Sequence, residues 1–252
     1  MEIIINEKQK ANIQQAANLI KNSKQAIAFT GAGISVESGI PSFRGEGGLW
    51  NKYDSNILSL SRFYNNPATA WIKIKEIFYD FFGKAKPNAA HIALANLEKM
   101  GLIKAVITQN IDNLHQDAGS KNVIEFHGTC SSMVCIQCGK KYESKYVDLK
   151  QLPPHCSCGG VLKPNFVFFE EGIPSDAYKN SQNLIQKTDL IIIIGTTGEV
   201  MPAAYLPQIA SNNGAKIIEI NPQKSAFTNS ITDVYIDLKA GDAMTEIMNN
   251  IN

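Results

Sequence analysis

Nothing in these 252 residues is long and apolar enough to span a bilayer; the densest aliphatic run, Leu190–Ile194, has the length of a strand. An excess of one charge sign is also missing. Lys and Arg number 24 against 23 Asp and Glu, so the formal net charge is +1, too small for bulk attraction to nucleic acid or a membrane surface. No basic stretch studded with aromatics supplies a local attraction. Residues 1–10 hold three isoleucines and then turn polar, without the apolar centre and cleavage site of a secretion signal. The expectation is a cytoplasmic protein that binds neither membrane nor nucleic acid directly. Internal repeats and low-complexity tracts are absent. Cysteine is confined to one stretch, as Cys130, Cys135, Cys138, Cys156 and Cys158. That clustering, with no export signal, argues against a disulfide scaffold and for a bound metal.

What is present is an alternation of helix and strand patterns. Ile13, Ala16, Ala17, Leu19 and Ile20 recur at helical spacing over residues 7–22. Ala26–Thr30 is a short apolar run that stops at Gly31, and residues 104–108, 190–194, 216–220 and 233–238 have the same strand character. Between them lie helical stretches such as 88–100, started by Pro87 and Asn88 and stopped by Gly101. Buried strands interleaved with helices predict a parallel α/β sheet. Two segments break the alternation: residues 45–86, rich in aromatics and without a sheet strand, and residues 128–164, which hold every cysteine. Both read as insertions that together form a second, smaller domain, with a cleft between it and the sheet. The core is then assigned to 1–44, 87–127 and 165–252.

Three polar segments carry chemistry. Thr30-Gly31-Ala32-Gly33-Ile34-Ser35 follows the first strand directly. Glycines there either let backbone amides approach a diphosphate or serve a tight left-handed turn; the third glycine of the dinucleotide fingerprint is replaced by Val36. The following segment, residues 37–45, is polar and carries Arg44, placed either to meet a phosphate or ribose or to remain solvated. A second strand runs into Gln109, Asn110 and Asp112, beyond the strand ends where open α/β sheets bind ligands. Those side chains either hold a ribose and a carboxamide or cap the next helix. Third, Phe126-His127-Gly128 stands at the hinge between core and insertion, where a neutral imidazole is suited to general-base work. His115 and His91 fall inside helix patterns, and His155 sits beside the cysteines. Cys135-x-x-Cys138 and Cys156-x-Cys158, separated by 17 residues, form a zinc-ribbon pattern. Four thiolates leave no open coordination position, so one structural Zn2+ is expected, with Cys130 a free thiol.

Taken together these segments resemble the sirtuin signature: Gly31-Ala32-Gly33-Ile34-Ser35 with Ser38-Gly39-Ile40-Pro41-Ser42-Phe43-Arg44, then Thr108-Gln109-Asn110-Ile111-Asp112 with Leu114-His115, Phe126-His127-Gly128, the four cysteines, Lys163-Pro164-Asn165-Phe166-Val167-Phe168-Phe169, Gly195-Thr196-Thr197 and Ile220-Asn221. The resemblance covers residues 26–222. It implies a Rossmann-like parallel-sheet domain, a smaller domain made of a helical insertion and a zinc-ribbon module, and an NAD-dependent protein-lysine deacylase. In that reading NAD+ and an acyl-lysine side chain of a protein meet in the cleft. The acyl oxygen attacks C1′ of the nicotinamide ribose, nicotinamide leaves, and His127 as general base activates a ribose hydroxyl of the alkylimidate. Water then yields free lysine and O-acyl-ADP-ribose. By the same resemblance Gly31, Ala32, Gly33, Phe43, Arg44, Gln109, Asn110 and Asp112 hold NAD+, with Asn110 also catalytic. Gly195, Thr196, Thr197 and Asn221 lie on the adenosine side, and Val167 and Phe168 pair with the substrate peptide.

The chain departs from the family at two places. Glu170 replaces the glycine of the usual Phe-Gly-Glu, which is expected to alter the peptide strand and favour basic flanking residues. Gly198 stands where a leucine-like residue is common, which is expected to widen the peptide groove or acyl channel. The Tyr and Arg of desuccinylating relatives align with Ile74 and Ile77. An apolar pocket cannot compensate a buried carboxylate, so neutral acyl groups are expected, acetyl and longer. Phe78 and Phe81 are candidates to line that pocket. The rival readings are an ADP-ribosyltransferase or NAD glycohydrolase on the same fold, and a non-enzymatic NAD-binding sensor.

Overall fold

A computed structural model describes residues 5–43, 47–81 and 84–251. In chain order it has α1 (Glu7–Asn22), β1 (Ala26–Thr30), a 3-10 turn (Ala32–Ser38), α2 (Leu49–Lys52), α3 (Leu60–Asn65), α4 (Pro67–Ile74), a π-helical stretch (Lys75–Phe81), α5 (Ala89–Lys99), β2 (Val106–Thr108), α6 (Leu114–Asp117), β3 (Val123–Glu125), β4 (Gly128–Cys135), β5 (Lys141–Glu143), β6 (Leu162–Phe166), α7 (Ser175–Ile185), β7 (Leu190–Ile194), α8 (Tyr205–Asn212), β8 (Lys216–Ile220), β9 (Val234–Ile236) and α9 (Ala240–Ile251). Asn6 and Gln9 cap the start of α1 reciprocally, and the side chain of Asn88 accepts the Ala90 amide at the start of α5.

Among the described residues one sheet runs β3-β2-β1-β7-β8-β9, every neighbouring pair parallel. The central strands β1, β2 and β7 are buried on both faces, which is why β7 reads as unbroken aliphatic sequence instead of alternating. Ile192 and Ile194 pack with Ile13, Leu94 and Ile247 of α1, α5 and α9. Ile191 and Ile193 pack on the opposite face with Ile185, Leu206 and Phe227.

The two insertions share one core. Leu58, Phe63, Trp71, Ile74 and Phe78 of the helical segment pack with Met133, Cys135 and Leu162 of the cysteine segment and with Phe166 and Phe168 just beyond it. The Trp71 indole N–H donates to the Leu162 carbonyl at 2.8 Å across the join. A second sheet, β5-β4-β6, is antiparallel. Strand β6 runs across the 164/165 boundary drawn from the sequence, because its pairing with β4 continues to Gly128↔Phe166.

Candidate active site

The strand order diverges from β1 and β7, so the crevice beyond their carboxyl ends lies at the topological switch point. Backbone closes this seam. The Gly31 amide donates to the Ile194 carbonyl at 3.0 Å and the Gly33 amide to the Gly195 carbonyl at 2.8 Å. A Cβ on Gly33 would sit 2.6 Å from the Gly195 Cα, and one on Gly195, itself at φ +65, 2.3 Å from the Ile34 nitrogen. Gly31 and Gly33 therefore serve close backbone packing, with their own amides bonded to Ile194 and Gly195, and the left-handed residue of this segment is Gly39 at φ +88. The Ala32 amide, between them, has no partner among the described residues.

Polar side chains from separate segments meet beside this loop. Ser35, fully buried, donates to Asp112 Oδ2 at 2.7 Å and accepts from Asn110 Nδ2 at 3.1 Å. Asp112 Oδ1 accepts the Leu114 amide at the start of α6. Asp112 thus caps a helix and faces the loop at once, whereas Asn110 caps nothing. Burial pushes the Asp112 carboxyl above its ordinary range, opposed by the Ser35 hydroxyl. Across the strand ends, Gln109 Nε2 donates to Thr196 Oγ1 at 3.1 Å and Asn221 Nδ2 to the Thr196 carbonyl at 3.1 Å. The Thr197 carbonyl accepts the Ala226 amide. The Phe43 ring lies 5.4 Å from Trp50; Arg44 lies outside the described residues. Ser35 and Asn88 were not singled out from the sequence as site residues. Asn88 holds the Ile34 carbonyl at 2.7 Å and the Ser38 hydroxyl at 3.0 Å, and no spacing rule links either residue to partners about fifty or more positions away.

His127 sits where β3 gives way to β4. Its Nδ1 lies 3.1 Å from the Gln109 carbonyl oxygen. A carbonyl only accepts, so Nδ1 carries the proton and Nε2 keeps a free lone pair. No described residue occupies Nε2. Burial holds the imidazole pKa below its ordinary value, opposed by the Gln109 carbonyl, so the ring is neutral near pH 7. The histidines His91 and His115 are fully buried, their rings 4.9 Å apart, and His115 Nε2 meets Thr30 Oγ1 at 2.9 Å. They support the floor beneath the strand ends.

The side chains of Cys135, Cys138, Cys156 and Cys158 converge within 4.8 Å. Sulfur–sulfur separations of 3.5 to 3.6 Å far exceed a disulfide bond of about 2.0 Å. They approach the edge of about 3.8 Å expected for a tetrahedron with zinc–sulfur bonds of about 2.3 Å. The thiolate set therefore fits one closed, structural Zn2+. Gly160 makes room for it, since a Cβ there would lie 2.7 Å from Cys135 Sγ. Cys130 stands outside the cluster.

Val167 donates its amide to the His127 carbonyl at 2.8 Å. The Phe168 side chain faces away from the cleft into the small-domain core, 5.4 Å from Phe63 and 5.1 Å from Phe166. Gly198, at φ +73, opens no groove: a Cβ there would lie 2.8 Å from the Phe227 ring, which already fills the space. Ile74, Ile77 and Phe78 are likewise core residues; the side chain of Phe81 lies outside the described set. An open groove of about 690 Å³, lined by Ile72, Lys75, Glu76, Asp80, Leu149 and Lys150 among others, contains none of the strand-end polar residues.

A parallel sheet covered by helices on both faces, with a polar crevice at its switch point, a poised imidazole and a four-thiolate module, defines a nucleotide-binding enzyme with a metal-stapled second domain. The Sir2 family model matches residues 31–202, and the chain belongs to that family. It is 44% identical over 248 residues to the NAD-dependent protein deacylase of Pyrococcus furiosus, covering 94% of this chain and 97% of that protein. It is 39% identical to the NAD-dependent protein deacetylase of Saccharolobus solfataricus, covering 94% and 96%. Among solved structures it is similar to a Sir2–p53 peptide–NAD+ complex, with TM-score 0.87, 37% identity and coverage of 94% and 97%. It is also similar to Sir2Tm bound to a propionylated peptide, with TM-score 0.86, 37% identity and coverage of 95% and 99%.

Proposed function

We propose that this chain is an NAD-dependent protein-lysine deacylase in which His127 is the general base. The observation that carries the assignment is the single anchored nitrogen of His127: Nδ1 is held by the Gln109 carbonyl at the end of β2, leaving Nε2 as the base. NAD+ supplies the ribose carbon that takes the acyl oxygen as nicotinamide departs. The loop at Gly31, Ala32 and Gly33, with Phe43 and Arg44, holds its diphosphate side. Gln109, Asn110 and Asp112 hold the nicotinamide ribose, and Gly195, Thr196, Thr197 and Asn221 the adenosine. The buried Asp112 carboxylate and the Asn110 amide oxygen stabilise positive character developing on that ribose. The backbone at Val167 and Phe168 receives the peptide by strand addition, which reads few side chains and so predicts loose sequence selectivity.

The acyl groups accepted are neutral, because the aligned Ile74 and Ile77 give a succinyl carboxylate no partner. The protein works in the cytoplasm without nucleic-acid contact, in line with its near-zero net charge. No described helix is long and apolar enough to cross a membrane. The test is incubation with NAD+ and acetyl-, longer acyl- and succinyl-lysine peptides, read by mass spectrometry for O-acyl-ADP-ribose. His127→Ala is expected to lose at least a hundredfold in turnover while binding NAD+ normally, on the order of what a general base supplies. Nicotinamide release independent of acyl-lysine, without O-acyl-ADP-ribose, would instead identify an ADP-ribosyltransferase or NAD glycohydrolase.

A further inference from the structure

Glu170 replaces a glycine and yet keeps a glycine's conformation, with φ +75. Its carboxylate shows what holds it there. Oε1 accepts from Ser59 Oγ at 2.8 Å and Ser61 Oγ at 3.3 Å, and Oε2 accepts the Ser61 amide at 3.1 Å. These bonds lower its pKa. Backbone pairing runs alongside: the Phe169 amide donates to the Leu58 carbonyl at 2.8 Å, and the Leu60 amide to the Phe169 carbonyl at 3.1 Å. Next in the chain, Glu171 closes the turn from inside, accepting the Phe168 amide and the buried Lys163 ammonium, each at 2.9 Å. Residues 167–171 are therefore fixed to His127 at one end and to the helical segment at the other. Glycine at 170 would permit the turn but offer Ser59 and Ser61 nothing.

We propose that Glu170 is a positioning residue that pins the peptide-receiving edge, residues 167–169, to the start of α3 before substrate arrives. The inference rests on the deacylase reading given above. A pre-ordered edge spares the peptide the cost of ordering it, so the effect falls on peptide affinity. Both carboxylate oxygens are engaged within the protein, so Glu170 is assigned to holding the edge, and direct selection of basic flanking residues is the competing outcome of the test.

The test is steady-state kinetics of the full chain with an acetyl-lysine peptide in versions with basic, neutral and acidic flanks. Glu170→Gly, which suits the left-handed turn and keeps the fold, should raise the peptide KM about tenfold for all three. The NAD+ KM and kcat should stay within twofold of the parent. Glu170→Gln, which keeps a neutral acceptor for the serines, should recover part of the loss. An unchanged peptide KM in Glu170→Gly overturns the proposal, as does a fall in kcat with equal loss of both affinities. A rise confined to basic-flanked peptides also overturns it and assigns the carboxylate to direct substrate contact. A parent enzyme that shows no acyl-lysine-dependent nicotinamide release fails the deacylase reading; an active parent with an unmoved Glu170→Gly fails only the latch.

Discussion

Gly33→Ala puts the backbone seam between the cofactor loop and β7 to a quantitative test. The new Cβ would stand 2.6 Å from the Gly195 Cα and 2.8 Å from its carbonyl oxygen. Carbon atoms prefer about 3.5–4.0 Å, so the seam must open by roughly 1 Å. Both sides are backbone, so no rotamer change relieves the clash. Overpacking of this kind costs about 1–3 kcal/mol, and losing the Gly33–Gly195 hydrogen bond adds about 1 kcal/mol. For a chain of this size a total of about 2–4 kcal/mol lowers Tm by about 5–15 °C. The displaced Ala32 amide and Thr196 should also raise the NAD+ KM at least tenfold. Gly39→Ala is the matched control: its φ is +88 but a Cβ there meets nothing within 4 Å, so it carries only the left-handed penalty of about 1–2 kcal/mol and leaves the NAD+ KM unmoved. Thermal melting and nicotinamide-release kinetics on both variants decide the matter. A Gly33→Ala protein that melts with the parent and keeps its NAD+ KM would refute the seam.

The buried histidine pair makes the fold acid-sensitive. Burial, with His91 adding to it, lowers His115 to about 3, and burial lowers His91 to about 4, against about 6.5 in an unfolded chain. Both folded values are depressed, so their stabilising effect is complete above about pH 6.5 and is lost as pH falls toward 4. With two protons taken up on unfolding, stability falls by up to about 2.7 kcal/mol per pH unit between those limits. Urea midpoints measured across that range check the slope, and a flat series contradicts it. Zinc removal, or Cys135→Ser, should loosen the shared small-domain core while the parallel sheet persists. The reporter is Trp71, bonded to Leu162: its near-ultraviolet signal should collapse as far-ultraviolet ellipticity largely remains, and an unchanged Trp71 signal in metal-free protein would count against the staple.

Local physics explains what the sequence made legible. Strands β1, β7 and β8 match the sequence runs residue for residue, because strands buried on both faces are rich in apolar side chains, with β7 aliphatic throughout. The same rule finds α1 and α5, where capping residues and periodicity coincide. The cysteine cluster was legible because metal spacing is a short-range pattern. What escaped was long-range. Ser35 joins Asn110 and Asp112 from 75 and 77 positions away, and the glycine amides turn to β7, more than 160 residues on. Gly198 was read as open space because the Phe227 ring that fills it is remote in sequence. The positive φ at Glu170 is invisible in composition, since glutamate gives no sign of a left-handed turn; only the family's glycine at that place marks it.

His127 ties these levels together, since it is bonded to two separate segments at once. Its ring leans on the Gln109 carbonyl at the end of the parallel sheet, and its own carbonyl accepts the Val167 amide just after β6. The preceding residue, Phe126, is fully buried and donates its amide to the Thr108 carbonyl at 2.8 Å, so the hinge begins from a fixed point. Gly128 then allows the turn at φ +74, where a Cβ would lie 2.3 Å from the Asn165 carbonyl oxygen. One backbone hydrogen bond thus ties His127 to residue 167, and a ring contact ties its Nδ1 to the end of β2. In the proposed deacylase this double anchoring sets the imidazole before peptide arrives, so loosening the edge at residue 170 should fall on peptide affinity and leave the base in place.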